Sequence, residues 1–111
     1  MTYAEANTIL GNKDRKVLGN NTALERGNGL AFIPNMRSGT IAVRLHNTDV
    51  IVFHPDNRVT LNSGEYQTVT TKARLNSYSG HRVYSVNRVW LVDGIPFVDG
   101  ITFGPRGGKP R

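Results

Sequence analysis

The chain contains no cysteine, which excludes disulfides and thiolate metal centres outright. It has no apolar run near the roughly 20 residues that a membrane-crossing helix requires. Its first residues, MTYAEANTIL, lack the basic start and apolar core of a secretory signal. Acids are scarce, with 8 Asp and Glu against 14 Lys and Arg, for a net charge of +6. Histidine occurs three times and tryptophan once, so a histidine-built metal site or an aromatic-rich base-stacking surface has little to draw on. The expectation is a soluble protein of the cytoplasm, with no membrane contact and no cofactor.

What is present fits a small turn-rich globule. At 111 residues with 38% apolar residues and 12 glycines, the chain is long enough to bury one core and too short for two. Residues 1–103 read as a single β-rich domain and residues 104–111 as a basic, flexible tail. Arg106, Lys109 and Arg111 in that tail carry half of the net charge. An excess of this kind attracts nucleic acid, nucleotides or an acidic protein surface. A solvated tail that aids solubility is the plainer explanation.

The pattern is mainly β, an antiparallel twisted sheet or partly open small barrel with one short helix at about 70–79. Thr2 and Glu5 have capping-box spacing, so the first ten residues predict a helical turn. Gly-Asn pairs at 11–12 and 19–20 mark turns, residues 22–26 and 30–33 read as strands around a turn at 27–29, and 34–39 as a loop. From Ile41 to Asn62 the residues alternate with the period of a half-buried strand. A two-residue loop at Asn47-Thr48 sets Leu45 opposite Val50 and Val43 opposite Val52. A four-residue loop around Pro55-Asp56-Asn57 pairs Val52 with Val59 and Val50 with Leu61. Both registers place Ile41, Val43, Leu45, Val50, Val52, Val59 and Leu61 on one apolar face. Ile51 and Phe53 then fall on the opposite face, too apolar for solvent alone. A short strand through Tyr66 and Thr68 precedes the helix, which Thr70 or Thr71 caps and Gly80 ends. Lys72, Arg74 and Asn76 read as exposed, with Ala73, Leu75 and Tyr78 as the apolar stripe. Strands follow at 81–86 and 89–92, Trp90 belongs to the core, and Asp93-Gly94 and Asp99-Gly100 are tight-turn signals.

The mixed face gathers Arg44, His46, Asp49 and Asn62. A carboxylate beside an imidazole fixes its tautomer and raises its basicity, as a general base requires. Arg44 on the same face can stabilise an anion. No nucleophile sits at a recognisable spacing, however, and a His-Asp pair across a hairpin equally well just ties the turn, so no catalytic residue is assigned. Metal binding by His46, Asp49 and His54 is disfavoured because this register turns His54 to the other face. Lys72 and Arg74 at the helix start suit phosphate, and plain solvation accounts for them too. The candidate binding residues are therefore Arg44, His46, Asp49, Asn62, Lys72 and Arg74.

The string IAVRLHNTDV at 41–50, with HPD at 54–56, VTLNSG at 59–64 and TVTTKARLN at 68–76, resembles a group of small uncharacterised proteins encoded by bacteriophages and prophages. Leu18-Gly19-Asn20-Asn21-Thr22 and Pro96-Phe97-Val98-Asp99-Gly100 fit the same group. The chain departs from its usual Gly-Gly-Trp or Gly-Gly-Tyr at Gly64-Glu65-Tyr66 and from Asp-Gly at Asp56-Asn57. The resemblance implies a viral accessory protein acting in the cytoplasm of a bacterial host. The leading reading is then a non-catalytic binding protein that interferes with a host process, such as an inhibitor of host defence of the anti-CRISPR kind; the alternatives, which rest on the residues, are a nucleic-acid-binding protein that contacts phosphates through the tail, Lys72 and Arg74, or a small hydrolase or nuclease using His46 and Asp49. The partner would be a host protein or nucleoprotein complex, a nucleic acid or a nucleotide, with oligomerisation left open.

Overall fold

A computed structural model describes residues 1–19, 21–26, 39–46, 48–64 and 67–104. The segment read as a strand at 30–33, the turn at 27–29, the loop up to 38, Tyr66 and the tail residues Arg106, Lys109 and Arg111 lie outside the described residues.

The architecture is mainly β, as the alternation predicts, without a closed barrel. Nine strands among the described residues form two antiparallel sheets. The larger sheet has six strands in the order β1-β2-β3-β4-β5-β9: β1 Arg15–Gly19, β2 Thr22–Arg26, β3 Ile41–Leu45, β4 Thr48–Phe53, β5 Val59–Leu61 and β9 Ile101–Phe103. The smaller sheet is a meander of β6 Val83–Val86, β7 Val89–Val92 and β8 Ile95–Pro96. Helix α1, Tyr3–Leu10, begins where Thr2 accepts the Glu5 N–H at 3.2 Å, the cap its spacing predicts. Helix α2, Val69–Tyr78, lies between the two sheets in sequence and packs on β3, β4 and β6. Its cap is Thr68, which accepts the Thr71 N–H at 3.1 Å; the expected caps Thr70 and Thr71 are already helical.

The central register differs from the sequence expectation. Leu45 pairs with Thr48 and Arg44 with Asp49, then the ladder shifts, and Val43 pairs with Ile51 and Ile41 with Phe53. Val50 is the extra residue of a β-bulge, which reverses the facing of everything after it on the strand. Beyond β4, Ile51 pairs with Leu61 and Phe53 with Val59. Ile51 and Phe53 are therefore core residues with no exposure, while Val52 is half-buried on the other face beside Ala42 and Thr60. This correction removes the anomaly of two large apolar residues facing solvent. Burying a Phe53-sized side chain is worth about 2–3 kcal/mol, so side-chain bulk selects the bulged register over the regular one.

The core joins both sheets and both helices. Leu24, Ile41, Val43, Ile51, Phe53, Leu61 and Phe103 of the large sheet meet Leu10 of α1, Leu75 of α2, and Val83, Trp90 and Val92 of the small sheet. Trp90 is 7% exposed and meets Phe97 edge-on at 5.5 Å. Asn76 acts as a substitute strand: it donates to the Val83 carbonyl and accepts the Val83 N–H, both at 2.7 Å. These bonds satisfy the outward backbone groups of Val83 on the β6 edge, which would otherwise invite pairing with another chain.

Candidate functional site: a threonine-lined cleft beside the bulged hairpin

The bulge and the start of α2 together open a cleft of about 520 Å³ lined by Leu45, His46, Thr48, Val50, Ser63, Thr68, Thr70 and Thr71. Its apolar floor comes from Leu45 and the bulge residue Val50. Its walls carry hydroxyls from β4, from the corner after β5 and from the first turn of α2. His46 sits at the mouth, exposed, with φ +54 in the hairpin turn, and its N–H donates to the Asn21 carbonyl at 2.8 Å.

A rigid corner holds this cleft. Asn62 donates its N–H to the Val50 carbonyl at 2.8 Å, which ties the bulge to β5. Its side-chain oxygen accepts the Gly64 N–H at 2.8 Å, closing an Asx turn. Buried Ser63 donates its N–H and its hydroxyl to Asp99 Oδ1 at 2.8 and 2.7 Å. Gly64 takes φ +63, and a Cβ there would stand 2.7 Å from Thr48 Cγ2 and 2.8 Å from Thr48 Oγ1. Only glycine lets the chain come this close to the cleft wall.

Of the candidate binding residues that are described, the cleft includes His46 alone. Asp49 is paired with Arg44, whose Nη1 lies 3.3 Å from Asp49 Oδ1; the expected His46–Asp49 cross-strand pair does not form because His46 lies in the turn and Thr48 already belongs to the strand, where it pairs with Leu45. Arg44 also approaches Glu25 at 3.8 Å, and Glu25 binds Arg15 at 2.9 Å. The result is a ladder of alternating charge across four strands, on the face opposite Leu45, so Arg44 is charge-balanced in the sheet. Asn62 serves the corner. Lys72 and Arg74 are half-buried, not exposed, while Ala73 of the expected apolar stripe is exposed. Arg74 Nε donates to the buried Thr22 hydroxyl at 2.9 Å. Lys72 Nζ donates to Ser85 at 3.3 Å and lies 5.8 Å from the Trp90 ring. The two cations point to different sheets and share no common edge. The sequence reading missed Ser63, Thr48 and Thr68 as site residues. The run of hydroxyls at 68, 70 and 71 is the available signal; in the sequence it reads as a helix cap beside a phosphate-suited lysine, and the folded chain turns it to the cleft.

Two further polar constellations lie away from the cleft. His81 Nδ1 is 2.6 Å from Asp93 Oδ2, with the buried imidazole stacked on Phe103 at 4.1 Å. Burial opposes ionisation of Asp93, but the Arg82 N–H and the His81 ring outweigh it and hold the carboxyl below its ordinary range. Ser79 completes the composition of a nucleophilic triad without its geometry, because its hydroxyl bonds the His81 main chain at 3.0 and 3.2 Å instead of the ring. On the outer face, His54 Nε2, Thr60 Oγ1 and Thr102 Oγ1 form a chain with 2.9 Å links. Thr102 donates to the Gly100 carbonyl, so Thr60 donates to Thr102 and His54 Nε2–H donates to Thr60. That direction fixes the tautomer. Desolvation, then the Arg58 charge, lower the His54 pKa against the opposing effect of Asp56.

Among the described residues no group of three or more His, Cys, Asp and Glu could hold a metal ion, and no helix is long and apolar enough to cross a membrane. No curated protein and no solved structure matches the chain. A family match, described as Kyanoviridae Gp96 protein, spans residues 5–104, which covers both sheets, both helices but for two residues, and the whole cleft. The chain belongs to this Kyanoviridae Gp96 family of phage proteins.

Proposed function

We propose that this phage protein is a non-catalytic accessory protein that interferes with a host process, with a host defence system as the target, by binding a small host molecule of nucleotide size in the cleft. The observation that carries the reading is the cleft itself. Its volume of about 520 Å³ falls in the range of roughly 300–1,000 Å³ typical of small-molecule sites. An apolar floor under several hydroxyls suits a flat ring with polar substituents, and the first turn of α2, the positive end of the helix dipole, suits a phosphate. Binding without chemistry is supported by the engagement of Asp49 with Arg44 and of Ser79 with the His81 backbone. Neither constellation presents a base aligned on a nucleophile.

The test is calorimetric titration of the purified protein with nucleoside mono-, di- and triphosphates and cyclic nucleotides, followed by mass analysis of the recovered ligand. The expected outcome is that one nucleotide class binds, is recovered chemically unchanged, and loses at least about tenfold in affinity in Thr48→Val, which keeps the shape and removes the hydroxyl. No binding by any of them would overturn the ligand class. A ligand recovered in altered form would overturn the non-catalytic reading.

A further inference from the structure

The small sheet buries one face, and among the described residues nothing packs on the other. Val83, Trp90, Val92 and Phe97 turn inward. Strand alternation puts Tyr84, Val86, Val89, Leu91 and Pro96 on the outward face, where Tyr84 pairs with Leu91, Val86 with Val89, and Leu91 with Pro96. Val86 and Val89 are 49% and 56% exposed, side by side at the hairpin end. A contiguous apolar face of this kind on a small protein is a mark of an interaction surface.

Its rim is basic. Arg82 lies over the Tyr84 ring at 5.2 Å, and Arg88 occupies the turn beyond the two valines. The one acid between residues 80 and 98 is Asp93, which is turned to His81 and the Arg82 N–H. The turn itself is strained. Asn87 and Arg88 have φ +51 and +68, a type I′ hairpin turn whose second position strongly prefers glycine. A β-sheet hairpin needs no arginine there, and a residue held in a disfavoured conformation at an exposed tip points to a function for its side chain.

We propose that the outward face of β6–β8 is a docking surface for a host protein whose contact patch is acidic around an apolar centre. Charge complementarity selects the partner. A second copy of the chain would set the same arginines against each other in a molecule already at +6. Single-stranded nucleic acid stacks its bases on aromatic rings, whereas the most exposed groups here are valines and the one ring of the face is covered by Arg82. The surface is separate from the cleft, and the proposal holds whether or not the cleft takes a nucleotide.

The test uses the full chain and a displayed library of random-sequence peptides as the probe. The expected result is enrichment of sequences that combine Asp or Glu with aliphatic residues. The strongest of these, measured by fluorescence anisotropy, should lose at least about tenfold in affinity in Val89→Asp and in Arg88→Gly, and should weaken as salt rises. Arg88→Gly removes turn strain, so its melting temperature should equal or exceed that of the parent, which separates lost docking from lost folding. Three results overturn the proposal: enriched peptides whose binding ignores both substitutions, a labelled single-stranded oligonucleotide whose binding depends on Arg88 and Val89, or self-association that Val89→Asp abolishes.

Discussion

Gly64→Ala tests the corner that holds the cleft, and its cost has two parts that can be measured separately. The first is conformational: at φ +63 an L-residue with a Cβ pays about 1–2 kcal/mol. The second is steric. The new Cβ would meet Thr48 Cγ2 at 2.7 Å, Oγ1 at 2.8 Å and Cβ at 3.3 Å. Rotating the threonine puts its single Cβ hydrogen in place of one of the two nearest atoms and leaves the other and the Cβ contact tight. Thr48 sits in β4 next to a bulge, where the backbone is held by Asn62 on one side and by Leu45 on the other. Overpacking of this kind costs about 1–3 kcal/mol. The sum is about 2–5 kcal/mol, a large part of the 5–15 kcal/mol that stabilises a typical domain. At roughly 4 °C per kcal/mol for a chain near 100 residues, the melting temperature falls by about 8–20 °C. Urea denaturation read by circular dichroism gives the free energy directly. Thr48→Ala in the Gly64→Ala background removes Cγ2 and Oγ1 and keeps Cβ, so the double variant should recover most of the steric part and retain the conformational part. A loss below about 1 kcal/mol for Gly64→Ala, or purely additive effects of the two substitutions, would refute the close approach as the reason for glycine.

Asp99→Ala leaves the buried Ser63 N–H and hydroxyl without their shared acceptor and should cost about 1–3 kcal/mol, read in the same denaturation assay, with Ser63→Ala costing less because one bond survives. The His54 imidazole has its pKa lowered from 6.5, so the unfolded chain binds its proton more readily than the folded one; the resulting stability is complete above about 6.5 and declines as pH falls from there towards the lower folded value. Denaturation midpoints across that window should therefore drop in the parent and flatten in His54→Gln, which keeps a donor to Thr60 and cannot titrate. Arg88→Gly should raise stability by about 1 kcal/mol by relieving the left-handed turn position, and a loss of stability would show that Arg88 makes a contact holding the hairpin together.

The strands from 41 to 62 were legible in the sequence, and so were both tight turns at Asp93-Gly94 and Asp99-Gly100, because period-two alternation and Gly-containing dipeptides are local signals. The facing of the residues after 49 was not. A bulge adds one residue without altering composition or alternation, so the sequence offers two registers that each look regular. What separates them is bulk: one buries Val52, the other buries Ile51 and Phe53. The misfit of those two residues on the supposed polar face was the readable trace of the bulge, and side-chain volume outranks turn length when the two disagree.

The candidate site was less legible for a related reason. Polar residues attract attention in a sequence, yet in this fold the conspicuous ones are spent on structure: Arg44 and Asp49 on a charge ladder, Arg74 on Thr22, Asn76 on the β6 edge, Asn62 on an Asx turn. Each is a tie between segments far apart in the chain or a turn closed on itself, and neither kind announces itself in spacing. Apart from His46, the cleft is made instead of threonines, a serine and two aliphatics contributed by a hairpin, a corner and a helix start, residues that are individually unremarkable. Their conjunction depends on Val50 bulging and on Gly64 admitting Thr48, two events that only the folded chain brings together. Both functions proposed for this chain therefore rest on surfaces that the bulge and the strained Arg88 turn create, and less on the ionisable residues singled out in its sequence.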